Sequence, residues 1–211
     1  MLSPLNPIVD AGVAAGCGWA PLDLLRACLD GGATFIQIRA KQLESGPLLD
    51  LCDAAVSMAR PYGGRIIVND RVDVAGLAGA AGVHVGQGDL PPAEARSILG
   101  PDAIVGFSTH SVPQAAAGLR EPVSYVAVGP VFGTRTKDTG YDAVGLDLVR
   151  AVSGLAEATP VVAIGGITID SAVAVLEAGA TSVAIIGDLF ASGDPAARVA
   201  AYLRLFAGHR V

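Results

Sequence analysis

The sequence predicts an α/β fold, a single (β/α)8 TIM barrel spanning residues 1–211. Three observations predict it. Short β-branched or apolar runs alternate with segments that are apolar at helical spacing, and eight such units follow one another along the chain. Several runs (Arg65–Val68, Val161–Ile164, Ser182–Ile186) are almost continuously apolar, as parallel strands covered on both faces should be. Polar residues gather directly after the strands, which is where a barrel carries its chemistry. A doubly wound open sheet is the alternative. It would need a tight Gly-rich nucleotide turn after the first strand, and Gly12–Gly18 is a poor match for one.

The first strand is Pro7–Val9, flanked by Pro and Gly. Pro21–Leu29 follows as a helix with Leu22, Leu25 and Leu29 on one face, Pro21 near its start and Gly31-Gly32 at its end. Thr34–Ala40 is the second strand and Pro47–Arg60 its helix. Arg65–Val68, the helical segment Val72–Ala81 with its Gly/Ala-rich turn end, and Gly82–Val85 form a crossover so short that the two strands should be parallel neighbours. The remaining helix of the fourth unit is Pro92–Leu99, and the fifth unit is Ala103–Ser108 with Pro113–Leu119. Tyr125–Gly129 opens into a long Gly/Thr-rich loop before a helix near Leu146–Leu155. Val161–Ile164 with Ser171–Ala178, then Ser182–Ile186 with Pro195–Phe206, complete the eight.

Composition limits the partners. Of 211 residues 52% are hydrophobic and 16% charged, which suits one domain with a sizeable core. A net charge of −6 argues against nucleic acid or an anionic membrane, so any anion site must be local. Cys17, Cys28 and Cys52 are odd in number and lack metal-ligand spacing, as expected of free thiols in a reduced compartment. No basic segment precedes a long apolar one, and no apolar run is long enough to span a bilayer. The expectation is a soluble cytoplasmic protein acting on small molecules, with self-association left open.

The strand ends indicate which chemistry. Asn69-Asp70 and Gln87-Gly88-Asp89 should emerge side by side from the third and fourth strands. Two carboxylates converging beside an amide make a hard oxygen site suited to Mg²⁺, which takes one or two carboxylates plus a substrate's phosphates. The plainer reading has Asp70 capping the next helix and Asp89 turning the chain. In the second strand Gln37, Arg39 and Lys41 alternate with Ile36, Ile38 and Ala40, so the polar three should face the barrel interior. An amide and two cations there require anionic or hydrogen-bonding partners, either a ligand or a salt-bridge network.

Gly106 and Ser108 share a face of the fifth strand, leaving room for a group to approach the backbone, and His110 follows as a rim residue. The loop Gly129–Gly140 carries Thr134, Arg135, Thr136 and Lys137 between glycines, a composition suited to covering a phosphate. Gly165-Gly166 and Ile186-Gly187-Asp188 end the last two strands, where barrels commonly hold a phosphate on backbone N–H groups. Two anion sites are therefore expected, one metal-assisted and one metal-free. Mg²⁺ with Arg39, Lys41 and Lys137 supplies five positive charges against two from Asp70 and Asp89. The surplus matches a diphosphate ester of about −3.

Taken together, these stretches resemble the thiamine phosphate synthase family. The matching ones are Gln37–Lys41, Val68–Asp70, His84–Asp89, Gly106–His110, Gly129–Lys137 and Gly165–Ile167, in the family's order and spacing. The resemblance implies a barrel that joins an aminopyrimidine methyl diphosphate to a thiazole phosphate and releases diphosphate. It implies that Gln37 and Ser108 hold the pyrimidine, that Asp70 and Asp89 ligate Mg²⁺, and that Arg39, Lys41, Asn69 and Lys137 grip the diphosphate. Arg39, Lys41, Ser108 and Lys137 are thereby the catalytic candidates. Thr134, Thr136, Gly166, Ile186 and Gly187 fall on the thiazole phosphate side.

Two departures stand out. Gly133 occupies a position where the family usually has Pro, and Gly187-Asp188 one where it often has a small hydroxyl residue. Asp188 is expected to turn away and cap the following helix or a neighbouring loop, because facing a phosphate would set two anions together. The rival readings are a thiazole tautomerase on the same barrel, with His110 as its acid–base, and a non-catalytic ligand-binding barrel. Neither calls for both aspartates together with Arg39, Lys41 and Lys137.

Overall fold

Alternation governs the first strand and sets the plan for the rest. In β1 (Leu5–Asp10) Leu5 and Val9 join the core under the helices, while Asn6 and Ile8 face the barrel interior. The computed structural model describes residues 2–133 and 142–209. After β1 the chain runs through α1 (Ala11–Gly16), α2 (Pro21–Asp30), β2 (Phe35–Arg39) and α3 (Ser45–Ala59). It continues with β3 (Arg65–Asn69), α4 (Val72–Leu77), β4 (Gly82–Val85), α5 (Pro92–Leu99), β5 (Ile104–Thr109) and α6 (Val112–Gly118). Then come β6 (Tyr125–Val128), α7 (Gly145–Leu155), β7 (Val161–Ile164), α8 (Ile169–Glu177), β8 (Ser182–Ile185) and α9 (Pro195–Gly208).

All eight strands are parallel and pair in sequence order, and β1 closes the barrel on β8 with Leu5 opposite Val183. Closure leaves no strand edge to protect. Two cores result. The outer one lies between strands and helices; the inner one comprises Ile8, Phe35, Ile67, Tyr125, Ala127, Val162 and Ala184. Phe35 meets Tyr125 edge-on at 5.9 Å, and the Arg65 guanidinium lies over the Phe35 ring at 5.6 Å. These residues begin β2, β3 and β6, so they plug the amino-terminal end of the barrel. The cavity is left to the other end.

Several elements differ from expectation in detail; β1 runs from Leu5 to Asp10, and the sequence does not predict the helix α1 that follows it. The helix after β3 runs Val72–Leu77, and the Gly/Ala-rich residues after it form the expected turn, with Gly79 at φ 60° and the Ala80 N–H donating back to the Ala75 carbonyl. In α2 the fully buried face is Leu24, Leu25, Cys28 and Leu29, with Leu22 at its margin. Each leucine buried there contributes roughly 1.5–3 kcal/mol. Among the described residues, no helix is long and apolar enough to cross a membrane.

Candidate active site

Every strand contributes to a cavity of about 700 Å³ at the carboxyl ends of the barrel. Gln37, Arg39, Lys41, Asn69, Asp70, Asp89, Ser108, Gly166, Ile186 and Gly187 all line it. The alternation read in β2 is correct: Gln37 and Arg39 face the cavity while Ile36 and Ile38 join the outer core. Thr134, Thr136 and Lys137 lie outside the described residues.

The acidic rim forms where β3 and β4 end. Asp70 sits in the left-handed region at φ 63°, its N–H donating to the His84 carbonyl at 2.8 Å. A non-glycine residue held there is backbone strain of the kind found at functional sites. Asp70 does not cap α4, whose N-cap is Arg71 with no side-chain capping bond. Its Oδ2 is 2.8 Å from Lys41 Nζ, and the Asp89 carboxyl lines the same rim. Burial favours the neutral form of Asp70, but the interactions with Lys41 and Asp89 outweigh it and hold the pKa below the ordinary carboxylate value. Asp89 is displaced upward, by desolvation first and by the neighbouring Asp70, against the hydrogen bond it accepts from the Gly86 N–H at 2.7 Å. Asp89 thus also holds its turn, as the plainer reading had it.

Two neighbouring carboxyl groups that influence each other's ionisation are eased by a proton or a cation between them. Their donor set is all oxygen. Among the described residues, no group of three or more His, Cys, Asp or Glu converges to hold a metal. Asp70 and Asp89 could hold a hard divalent cation such as Mg²⁺, which takes one or two carboxylates together with a substrate's phosphates.

Arg39 has a partner that the charge tally left out. Its Nη1 pairs with the Asp10 carboxylate at the end of β1, which also caps α1 by accepting from the Val13 N–H at 3.0 Å. Asp10 is 5% exposed and adds a third negative charge, so the positive surplus is smaller than the sequence reading made it. The period-two pattern Asn6, Ile8, Asp10 carried that signal, as the same alternation did in β2. Among the described residues, Arg39 Nε is a buried donor without a hydrogen-bond partner. Asn6, 2% exposed, lines the same cavity with its Oδ1 likewise unmatched.

The space beside Gly106 is taken by protein rather than left to a ligand. A Cβ there would lie 2.1 Å from Tyr125 Cζ and 2.6 Å from His84 Nδ1. His84 bridges Tyr125 and Ser108. His110 holds the Gly129 carbonyl through Nδ1, which gives it a structural role at the rim.

On the opposite wall Gly165 and Gly166 have φ 106° and 62°. A Cβ at Gly166 would lie 2.6 Å from the Gly133 carbonyl, so only glycine fits this fold of the β7 loop against the β6 loop. Asp188 lines this corner of the cavity and, among the described residues, caps no helix: Arg198 of α9 donates to both its oxygens at 2.9 Å, and the Tyr202 hydroxyl donates as well. Asp194 takes the N-cap of α9 instead. Asp188 thus lines the cavity with its charge compensated by Arg198.

Residues 5–189 match the family profile described as thiamine monophosphate synthase. A thiamine-phosphate synthase of Thermus thermophilus is 44% identical over 182 residues, which is 84% of this chain and 86% of that protein. One from Azorhizobium caulinodans is 40% identical over 176 residues, 82% of this chain and 81% of its own length. Among solved structures, thiamine phosphate pyrophosphorylase from Pyrococcus furiosus superposes with a TM-score of 0.85 at 28% identity, covering 97% of this chain and 96% of that one.

Proposed function

The chain belongs to the thiamine monophosphate synthase family, and from that premise we propose how its cavity joins an aminopyrimidine methyl diphosphate to a thiazole phosphate. The observation that carries the reading is the rim where β2, β3 and β4 end, with Arg39, Lys41, Asp70 and Asp89 around one opening. Cations and paired carboxylates so close suit a metal diphosphate better than any neutral ligand.

In this reading Arg39, Lys41, Asn69 and Lys137 hold the diphosphate oxygens. The unmatched Nε of Arg39 is a donor ready for one of them. Asp70 and Asp89 would ligate Mg²⁺, which when bound neutralises charge on the departing diphosphate. Gln37 and Ser108 hold the pyrimidine. Thr134, Thr136, Gly166, Ile186 and Gly187 take the thiazole phosphate, largely through backbone N–H groups.

The bond broken is CH₂–O, whose electron pair leaves with diphosphate. The bond formed is CH₂–N, from the thiazole nitrogen lone pair. The electron-rich aminopyrimidine spreads the positive charge that develops between these events, so no protein nucleophile or proton transfer is needed. The protein's work is to steady the leaving group, exclude water and aim the nitrogen. Residues 1–211 act as one domain, and a reduced cytoplasmic setting suits the three free thiols.

The test is an assay of the purified chain with both substrates. Thiamine phosphate and diphosphate should appear in equal amounts, stop on chelation and return with Mg²⁺. No diphosphate release with both substrates and Mg²⁺ present would overturn the reading.

A further inference from the structure

Ser108 is held by a hydrogen-bonded series that runs across three strands. His84 on β4, Gly106 on β5 and Tyr125 on β6 occupy one row, since Gly106 pairs in register with both His84 and Tyr125. Ser108 faces the same way one step nearer the cavity mouth. His84 Nδ1 is 2.9 Å from the Tyr125 hydroxyl, and His84 Nε2 is 2.8 Å from Ser108 Oγ. The imidazole also stacks on the Tyr125 ring, 5.5 Å between centroids and 20° from parallel. The missing side chain at Gly106 is what lets the two rings meet.

The series has a direction. Tyr125 is 1% exposed, and burial pushes its phenol above the ordinary value, so it keeps its proton. Among the described residues its hydroxyl has His84 Nδ1 as its hydrogen-bond partner. A buried phenol that only accepted would leave its O–H donor unmatched, which costs about 1–3 kcal/mol. Tyr125 therefore donates, and Nδ1 accepts with its lone pair. A neutral imidazole then carries its proton on Nε2 and donates to Ser108 Oγ. With one oxygen lone pair so occupied, Ser108 has its own O–H to give, and the cavity lies on that side.

We infer that Tyr125 and His84 are positioning residues that fix Ser108 as a hydrogen-bond donor toward the cavity, so that the site selects a ring with an sp² nitrogen acceptor there. This rests on the proposed function, which puts the aminopyrimidine against Ser108. It adds why the serine reads an acceptor, and it assigns specificity to two residues that need not touch the substrate.

The test has two arms. The first uses the ligand-free, ¹⁵N-labelled protein and reads the His84 ring nitrogens by long-range ¹H–¹⁵N correlation. Nδ1 should be unprotonated and Nε2 protonated. Ser108→Ala should keep that pattern, because it is imposed from Tyr125, whereas Tyr125→Phe should lose it. The second arm compares kcat/KM for the pyrimidine diphosphate with that for its two pyridine analogues, each lacking one ring nitrogen. Wild type should reject one analogue by roughly tenfold, the worth of one hydrogen bond, and both variants should narrow that gap. The KM for thiazole phosphate should stay the same.

A proton on Nδ1 in the wild type would overturn the inference. So would a Tyr125→Phe variant that retains both tautomer and discrimination. If Tyr125→Phe does not fold, the wild-type and Ser108→Ala spectra still decide the direction. A wild type that turns over neither pyrimidine nor pyridine diphosphate would overturn the proposed function, and the ring-nitrogen spectra would then judge the hydrogen-bond series alone.

Discussion

Lys41 Nζ lies 2.8 Å from Asp70 Oδ2, joining a cation beyond the end of β2 to a carboxylate beyond the end of β3. The lysine side chain is 47% exposed, so the pair is well solvated and contributes only about 0–1 kcal/mol to stability. Its importance is in the arrangement. It keeps one positive charge beside the paired carboxylates, at the opening where a diphosphate would sit. Lys41→Gln should leave the melting temperature nearly unchanged and lower kcat/KM by about a hundredfold, the usual cost of one transition-state donor. Calorimetry together with the diphosphate-release assay reads both numbers; a large fall in stability with activity preserved would contradict this account.

Asp89→Asn removes a charge from the pair Asp70–Asp89 and keeps the shape of the turn, since an amide oxygen can still accept from the Gly86 N–H. Turnover should drop by at least about a hundredfold, comparable to the loss when a metal's support is removed. Circular dichroism should match the wild type. Metal titration should need far more Mg²⁺ to reach half-maximal rate.

Asp10→Asn should separate stability from ligand affinity. The amide preserves the cap on the Val13 N–H but strips the compensating charge from Arg39. Because Arg39 opens onto the cavity, the loss should be about 1–3 kcal/mol, below that of a sealed ion pair. Inorganic diphosphate should bind more tightly, as Arg39 no longer shares its charge. Weaker diphosphate binding in titration calorimetry would show that Asp10 is needed to aim the guanidinium.

Asp188→Asn tests the residue that departs from the family pattern. Arg198 and Tyr202 would lose the carboxylate that holds them, at a cost of about 2–3 kcal/mol. The KM for thiazole phosphate should stay within a few-fold of the wild type. A large gain in affinity would show that this charge is felt at the phosphate site after all.

The thiols should divide one to two. Cys17 is exposed, whereas Cys28 and Cys52 are buried. Desolvation pushes Cys28 up to about 12; desolvation, then the charge of Asp53, pushes Cys52 up to about 11. At pH 8 a disulfide reagent should therefore titrate one thiol in the native protein and three in guanidinium. Two rapid equivalents in the native state would mean that α2 or α3 opens readily.

Much of the architecture was legible in the chain because it is local. A strand has period two and a helix 3.6, and each is written into ten or so consecutive residues. Hence β2 could be divided into a cavity face and a core face before any packing was known, and Asp70 and Asp89 could be assigned to adjacent strand ends from one short crossover. Helix ends were less legible. The Gly/Ala-rich end of residues 72–81 signals a turn, but the left-handed residue that closes α4 at Leu77 is fixed only by the Gly79 backbone.

The sequence by itself determined which side chains point into the barrel. Which of them meet was decided only by the tertiary structure. Asp10 and Arg39 are 29 positions apart, and Tyr125 and His84 are 41 apart. Asp188 reaches Arg198 only because α9 packs on the turn after β8. Period two says in or out, but a partner depends on strand register, on closure of β1 against β8, and on whether a glycine such as Gly106 leaves two rings room to touch. These relations are fixed by the whole barrel at once, through contacts that no window of consecutive residues contains.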